Sequence, residues 1–446
     1  MRPEPYSMKS AHNWSLWASG SYYYLQTKIL MKPVIECIES VLSNSTNSAI
    51  INEVGAAGHM LHPYEYMDFT LRSIKGLVRN VFQNKVESIS EKIDGANIQA
   101  TKAPDGSIRF IRNSSDLKNG GVDMQGIADK WPGKPAIQNT FLTACKIITD
   151  VLKKVPEKVF NPKPGVRIFV NCECVNAGRT NIMRYASSHV DFHNIWVYTE
   201  IEGKWQVTDV LSCPNAIISA LKDIDNASLT PKLIVQVTHE SELQMLAKIK
   251  EIDAVFKAAG CGEQSTIRDY YHAQFVSLTL KEFPWIQQSK EGMEVMFNRV
   301  IENDRKVNIR EVCKMYADTG VDASKVRELD AAAKEVKERC MAPLDKFFIS
   351  FGNAVIKMCK GIMNTGKEAD VIEQLGKDLK ETVEAIKTSD DMSMTSQLVK
   401  QLERIGDEQL NASEGLVFKY HDRMMKLTGT FAPLNMILNL KYHLGK

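Results

Sequence analysis

The stretch SEKIDGANIQATKAPDGSIRFIRN, residues 90–113, decides the reading of the fold. Ala96, Ile98 and Ala100 alternate with Asn97, Gln99 and Thr101, the period of a strand with one buried face. Pro104-Asp105-Gly106 carries turn chemistry, and Ser107 to Arg112 reads as the return strand of a hairpin. Lys92 stands at the mouth of this strand pair, between Glu91 and Ile93-Asp94-Gly95. Alone, it reads first as a solvated lysine beside a turn, and only second as a nucleophile.

Before the hairpin, residues 31–85 read as mostly helical. Leu71, Ile74, Leu77, Val78 and Val81 recur at helical spacing after Thr70, a candidate cap. After it, a helix is predicted over "IQNTFLTACKIITDVLKKV". The strand "VRIFVNCECV" follows, with Val166, Ile168, Val170, Cys172 and Cys174 on one face and Arg167, Phe169, Asn171 and Glu173 on the other. A second hairpin fits "NIWVYTEIEGKWQVTDVL", turning near Glu202-Gly203. From about residue 241 to 408 the pattern is helical. Ser241 with Gln244 resembles a capping box, Leu243, Leu246, Ile249 and Phe256 form an apolar stripe, and Gly260 is a stop. Further helices are predicted over 324–342, 344–364 and 368–388. Strand pattern resumes at "EGLVFKY". A β region that is interrupted and then resumed indicates an α+β fold with antiparallel sheets and a large helical insertion. The expected divisions are an N-terminal extension over 1–30, the first part of the α+β domain over 31–240, the helical insertion over 241–408 and the completion of the α+β domain over 409–446. Met31 is an alternative start.

The chain has 446 residues, 44% of them hydrophobic, 25% charged, with a net charge of +2. This composition is that of a globular chain with a sizeable core, and it leaves any nucleic-acid surface to a local patch. No apolar run reaches the roughly 18 residues of a membrane span. The nine cysteines lack paired metal-ligand spacing and read as buried thiols of a reducing, cytoplasmic compartment. His189 and His193 are four apart in a stretch that reads as loop into strand, and they are set aside as metal ligands.

Four segments carry the chemistry: Lys92 to Gly95 (K-x-D-G), Glu173 on its strand, Glu414-Gly415-Leu416-Val417-Phe418-Lys419, and the strand with Lys426. In this order they resemble the motifs of the covalent nucleotidyltransferase superfamily, which comprises ATP-dependent RNA and DNA ligases and mRNA capping enzymes. "NIWVY" at 194–198 matches that family's aromatic strand, and "EKIDGAN" is closest to the RNA ligase branch. The resemblance spans 86–200 and 410–432. It implies a ligase adenylation domain using ATP and Mg2+ or Mn2+, with Lys92 carrying AMP. It places Glu91 on adenine, Asn97 and Arg112 near ribose and phosphate, and Glu173 and Glu414 near ribose or metal. Lys419 and Lys426 fall on the α-phosphate, and Trp196 stacks on adenine with Phe192 behind it. The implied partners are nucleic-acid ends, RNA favoured and DNA possible, bound by a monomer without a membrane. Host cytoplasm is expected if the enzyme is of the bacteriophage kind.

Residue types follow from this chemistry. A lysine attacking phosphorus must first lose its proton, and metal and fixed cations stabilise the charge spread over a transferring phosphoryl group. If Asp422-Arg423 forms a two-residue turn, Lys419 and Lys426 face each other and need an anion between them. The family's final K-x-K departs here to Met424 and Lys426. About twenty residues follow Lys426, too few for a C-terminal oligonucleotide-binding barrel. Substrate choice then falls to the helical block, whose lysines are interleaved with acids. Two alternatives stay open: a DNA ligase or other covalent adenylyltransferase, and a catalytically idle protein that binds nucleotides or nucleic-acid ends.

Overall fold

Thr70 accepts a hydrogen bond from the Ser73 N–H (3.1 Å) and so opens the first helix, α1 (Leu71–Phe82). All five of its expected apolar positions are buried. The structure, a computed structural model, describes residues 60–160, 164–176, 187–360, 413–421 and 423–429. The expected extension over 1–30 and the helix over 368–388 lie outside them.

Along the chain follow β1 (Glu87–Lys92), β2 (Ala96–Lys102), β3 (Ile108–Ile111), α2 (Ser114–Lys118), α3 (Met124–Ala128) and α4 (Pro135–Lys154). Next are β4 (Val166–Val175), β5 (His189–Ile201), β6 (Lys204–Leu211), α5 (Asn215–Leu221), β7 (Ala227–Leu229) and β8 (Ile234–Val235). The helical series is α6 (His239–Ala258), α7 (Ile267–Glu282), α8 (Lys290–Val300), α9 (Ile309–Ala317), α10 (Ala323–Ala331) and α11 (Ala333–Met358). β9 (Cys359–Lys360), β10 (Gly415–Tyr420) and β11 (Arg423–Thr428) complete it. The fold is α+β.

The strands form two main sheets. One has the order β1-β10-β11, and the other the order β3-β2-β4-β5-β6, with β7 parallel to β5. All other pairings are antiparallel. Both expected hairpins form. The β5–β6 turn uses left-handed Glu202 and Gly203 (φ 52° and 74°), which matches the twist of the flanking strands. On β4, Val170, Cys172 and Cys174 are buried on the expected face, and Phe169 and Asn171 of the opposite face are buried too. Burial alone pushes the Cys145 thiol up to about 12, and burial first also raises Cys172 and Cys174. These thiols are structural and unreactive.

The helical block departs from expectation in three places. α6 starts earlier, because Thr238 caps the Ser241 N–H (3.2 Å) while the Ser241 hydroxyl accepts from the Thr238 N–H (2.8 Å). Its buried face runs through Ser241, Lys248, Ile252 and Phe256, and Leu243 and Leu246 are exposed. The chain also runs straight through Pro343, so the break expected there falls instead at Ala332, between α10 and the 26-residue α11. Nor is the block set apart by a core of its own. Ile252, Phe256, Tyr271, Phe297, Phe348 and Phe351 share one buried cluster with Leu77 of α1, Ile89 of β1, Phe418 of β10 and Leu427 of β11. The block's described part, 241–360, therefore backs the three-stranded sheet. No helix among the described residues is long and apolar enough to cross a membrane.

Candidate active site

Lys92 ends β1 opposite Gly415, the first residue of β10. That register brings Glu414 onto Lys92, and Nζ and Oε1 form an ion pair across a sequence separation of 322. The side chains are 14% and 7% exposed, so the pair is largely dry. Gly415 is required by close approach, since a Cβ there would stand 2.6 Å from the Leu427 carbonyl oxygen and 3.0 Å from Thr428 Cα. The glycine of E-G thus lets β11 close on β10.

Pairing and alternation sort this sheet into two faces. Leu416, Phe418, Met425 and Leu427 point into the core. Lys92, Val417, Lys419, Met424 and Lys426 share the opposite face. The hairpin register differs from expectation by one pair. Tyr420 pairs with Arg423, so Lys419 faces Met424, and Lys426 faces Val417. Two features fix it. His421 takes the left-handed conformation at the turn (φ 47°), and Arg423 is clamped by both carboxylate oxygens of Asp68 (2.8 and 2.7 Å). Lys419 and Lys426 become diagonal neighbours, about 7–8 Å apart by Cα, and Glu87 of β1 pairs with Lys419 from the other side. Lys426 is buried. Glu91 pairs with Leu416 and leaves β1 by the core face, where burial first, and then the charge of Glu91, raise the nearby Cys359 thiol. Its side chain therefore leaves β1 on the face opposite that of Lys92.

The second sheet contributes a polar row. Asn97 pairs with Glu173, and Glu173 with Asp191. The Asn97 amide donates to Asn171 Oδ1 (2.8 Å), to the Cys172 carbonyl (3.2 Å) and to Glu173 Oε2 (3.4 Å). Gly95 locks the Lys92 loop against this row, because a Cβ there would stand 2.8 Å from both Glu173 Cγ and the Cys174 oxygen. Arg112 is buried, donates from Nη1 to the Asn97 carbonyl and lies 5.5 Å from the Phe141 ring centre. Burial pulls its pKa down against the charge of Glu173, yet a guanidinium stays protonated. Trp196 is on the polar-row face of β5, opposite Phe169, with Nε1 donating to Asn194 Oδ1 (2.6 Å). Phe192 pairs with Cys172 and is wholly buried on the opposite, core face, which removes it as a stacking partner.

His193 was not legible as part of this row. Asn171 pairs with Asn194 and Cys172 with Phe192, so His193 is the extra residue of a β-bulge, a feature that re-aims a side chain. Its Nε2 lies 3.8 Å from Glu173 Oε2, and Nδ1 lies 2.8 Å from Thr230 Oγ1. Nearby, His189 Nε2 contacts buried Asp191 Oδ2 at 3.0 Å. Burial lowers the His189 pKa, but the hydrogen bond and charge of Asp191 outweigh it, and the net shift is upward. A raised pKa contributes stability that is complete below about pH 6.5, the unfolded value, and is lost as pH rises through the folded value. His189→Gln is therefore expected to lower the urea midpoint at pH 6 and to have a smaller effect at pH 8.5.

Among the described residues no group of three or more His, Cys, Asp or Glu side chains is gathered to hold a metal. Glu173 pairs with Asp191 in the second sheet, and Glu414 precedes β10 of the first. Comparison with protein-family models, with curated proteins and with solved structures finds no match.

Proposed function

We propose that the protein is an ATP-dependent polynucleotide ligase of the RNA ligase type, working through a lysyl-AMP at Lys92. The observation that carries this reading is the Lys92–Glu414 pair, which joins K-x-D-G to E-G across the chain in a largely dry setting. The Lys92 amine forms an N–P bond to the α-phosphorus as the bond to pyrophosphate breaks. AMP then passes to a 5′-phosphate oxygen, and Lys92 recovers its proton. A 3′-hydroxyl finally attacks the activated 5′-phosphorus, and AMP leaves.

An ammonium has no lone pair, and an opposite charge in contact favours the charged form. Glu414 must therefore separate from Lys92 before attack. A divalent metal, when bound, supplies positive charge for the phosphate oxygens and a second partner for Glu414. Lys419 and Lys426 share the Lys92 face and add fixed cations there. Asn97, Arg112 and Glu173 form a braced polar row for ribose and phosphate. One observation favours an idle nucleotide-binding relative instead: Met424, in place of a motif lysine, lies directly opposite Lys419.

Incubation of the protein with α-labelled ATP and Mg2+ or Mn2+ is expected to leave a covalent, acid-labile label, with α-labelled GTP inert. No label with either metal would overturn the ligase reading and leave the idle one. Gel assays on nicked RNA, DNA and hybrid duplexes then fix the acceptor.

A further inference from the structure

Away from Lys92, a cavity of about 330 Å³ opens between the start of α6 and the end of α11. Its lining includes Gln236, Gln244, Lys248, Ser350, Asn353 and Lys357. One of these is costly to bury. Lys248 is 9% exposed, at a position where packed helices would ordinarily place an aliphatic side chain. An ammonium has three N–H donors. Among the described residues Lys248 uses two, to Glu251 Oε2 (2.8 Å) and to Ser350 Oγ. One donor of a buried cation is left in the cavity wall. At the rim, Lys357 is exposed and makes no ion pair among the described residues, and Glu240 is the acid among the lining side chains.

The lining selects a ligand class. It carries two ammonium groups, three amides and the Thr238 and Ser350 hydroxyls against one carboxylate. It contains no aromatic side chain, so it offers no platform for a base. Its volume is at the small end for ligand sites. We propose that this cavity binds a ribose phosphomonoester, with the phosphate on Lys248 and Lys357 and the sugar hydroxyls on Gln236 and Gln244. The ligand is either a free sugar phosphate or the phosphorylated 5′ end of an RNA strand. This inference does not depend on Lys92 chemistry.

The two ends of the lining reach the catalytic strands. Asn353 follows Gly352, where a Cβ would stand 2.8 Å from the Thr428 carbonyl oxygen of β11. Gln236 donates its N–H to the Met358 carbonyl (2.9 Å), beside the β8–β9 pair. Calorimetry on the full chain tests the proposal, titrating ribose 5-phosphate, ribose, and RNA decamers with 5′-phosphate or 5′-hydroxyl ends. Ribose 5-phosphate or the phosphorylated decamer is expected to bind at least tenfold more tightly than its unphosphorylated counterpart. The tighter of the two phosphorylated ligands identifies the source. Lys357→Glu, an exposed position, is expected to remove that preference, as is Lys248→Gln provided its melting temperature is retained. Absence of any preference for the phosphate would overturn the proposal. So would a preference that survives Lys357→Glu, since that binding lies elsewhere. Self-labelling with ATP, measured in the same variants, reads the ligase proposal separately and is expected to be unchanged.

Discussion

Lys92→Ala is expected to abolish covalent labelling by α-labelled ATP, a loss of at least about 10⁴-fold, while leaving the protein folded. On the proposed lysyl-AMP route the substitution removes the nucleophile itself, so no residual route to an N–P bond remains at that position. Lys92→Arg should be equally inactive for a different reason. A guanidinium keeps its proton in any protein environment and cannot become the neutral amine the attack needs. It does keep the positive charge beside Glu414, so it should be the more stable of the two variants. Alanine leaves a largely buried carboxylate without its ammonium, and an uncompensated buried charge commonly costs about 3–5 kcal/mol. The measurement is gel-based labelling alongside the urea midpoint of each variant. Label that persists in Lys92→Ala would move the nucleophile to another residue, and lysines 419 and 426 on the same face would be the first to replace.

The division between what the sequence carries and what it hides follows physical lines. Period-two alternation on β2 and β4 named the face that buries Ile98, Ala100, Val170, Cys172 and Cys174, but it carried no sign that Gln99, Phe169 and Asn171 of the other face are buried too. The β10–β11 turn lacked that constraint at its tip. Tyr420 and Arg423 are consistent with either side of a hairpin until the Asp68 clamp is known, and Asp68 is far away in sequence. His193 depends on a bulge, which has no composition of its own. On α6 the error came from reading period without neighbours. Leu243, Leu246 and Phe256 all fit helical spacing, and Phe256 is buried as expected, but the packing of α1, α7 and α11 buries Lys248 and Ile252 and leaves Leu243 and Leu246 exposed. Pro343 shows the same limit, since tertiary packing of Leu344, Phe347 and Phe348 holds a helix that the lost backbone hydrogen bond would otherwise break. Glu91 illustrates a subtler case. Adjacency to Lys92 in sequence means opposite faces on a strand, so a motif read as a string joins side chains that the sheet separates.

Gly95→Ala should separate geometry from chemistry at this site. The added methyl would meet Glu173 Cγ and the Cys174 carbonyl oxygen, both at 2.8 Å, with the Cys174 carbonyl carbon at 3.2 Å. A side chain can turn aside, but the Cys174 carbonyl belongs to β4 and pairs with β5, so the loop carrying Asp94 and Lys92 must give way instead. A displacement on the order of 1 Å at a reacting group typically costs about 10²-fold in rate. Labelling by ATP is thus expected to fall about 10²-fold, with Lys92 and Glu414 both intact. The loss should appear in the rate of label formation at saturating ATP, because misplacement affects attack more than binding. Glu173→Ala, which removes one of the two contacts and opens space, is expected to restore part of the folding stability of Gly95→Ala without restoring the rate. An unaltered labelling rate in Gly95→Ala would mean that the loop does not need to rest on Glu173. The two sheets would then act on the nucleotide independently.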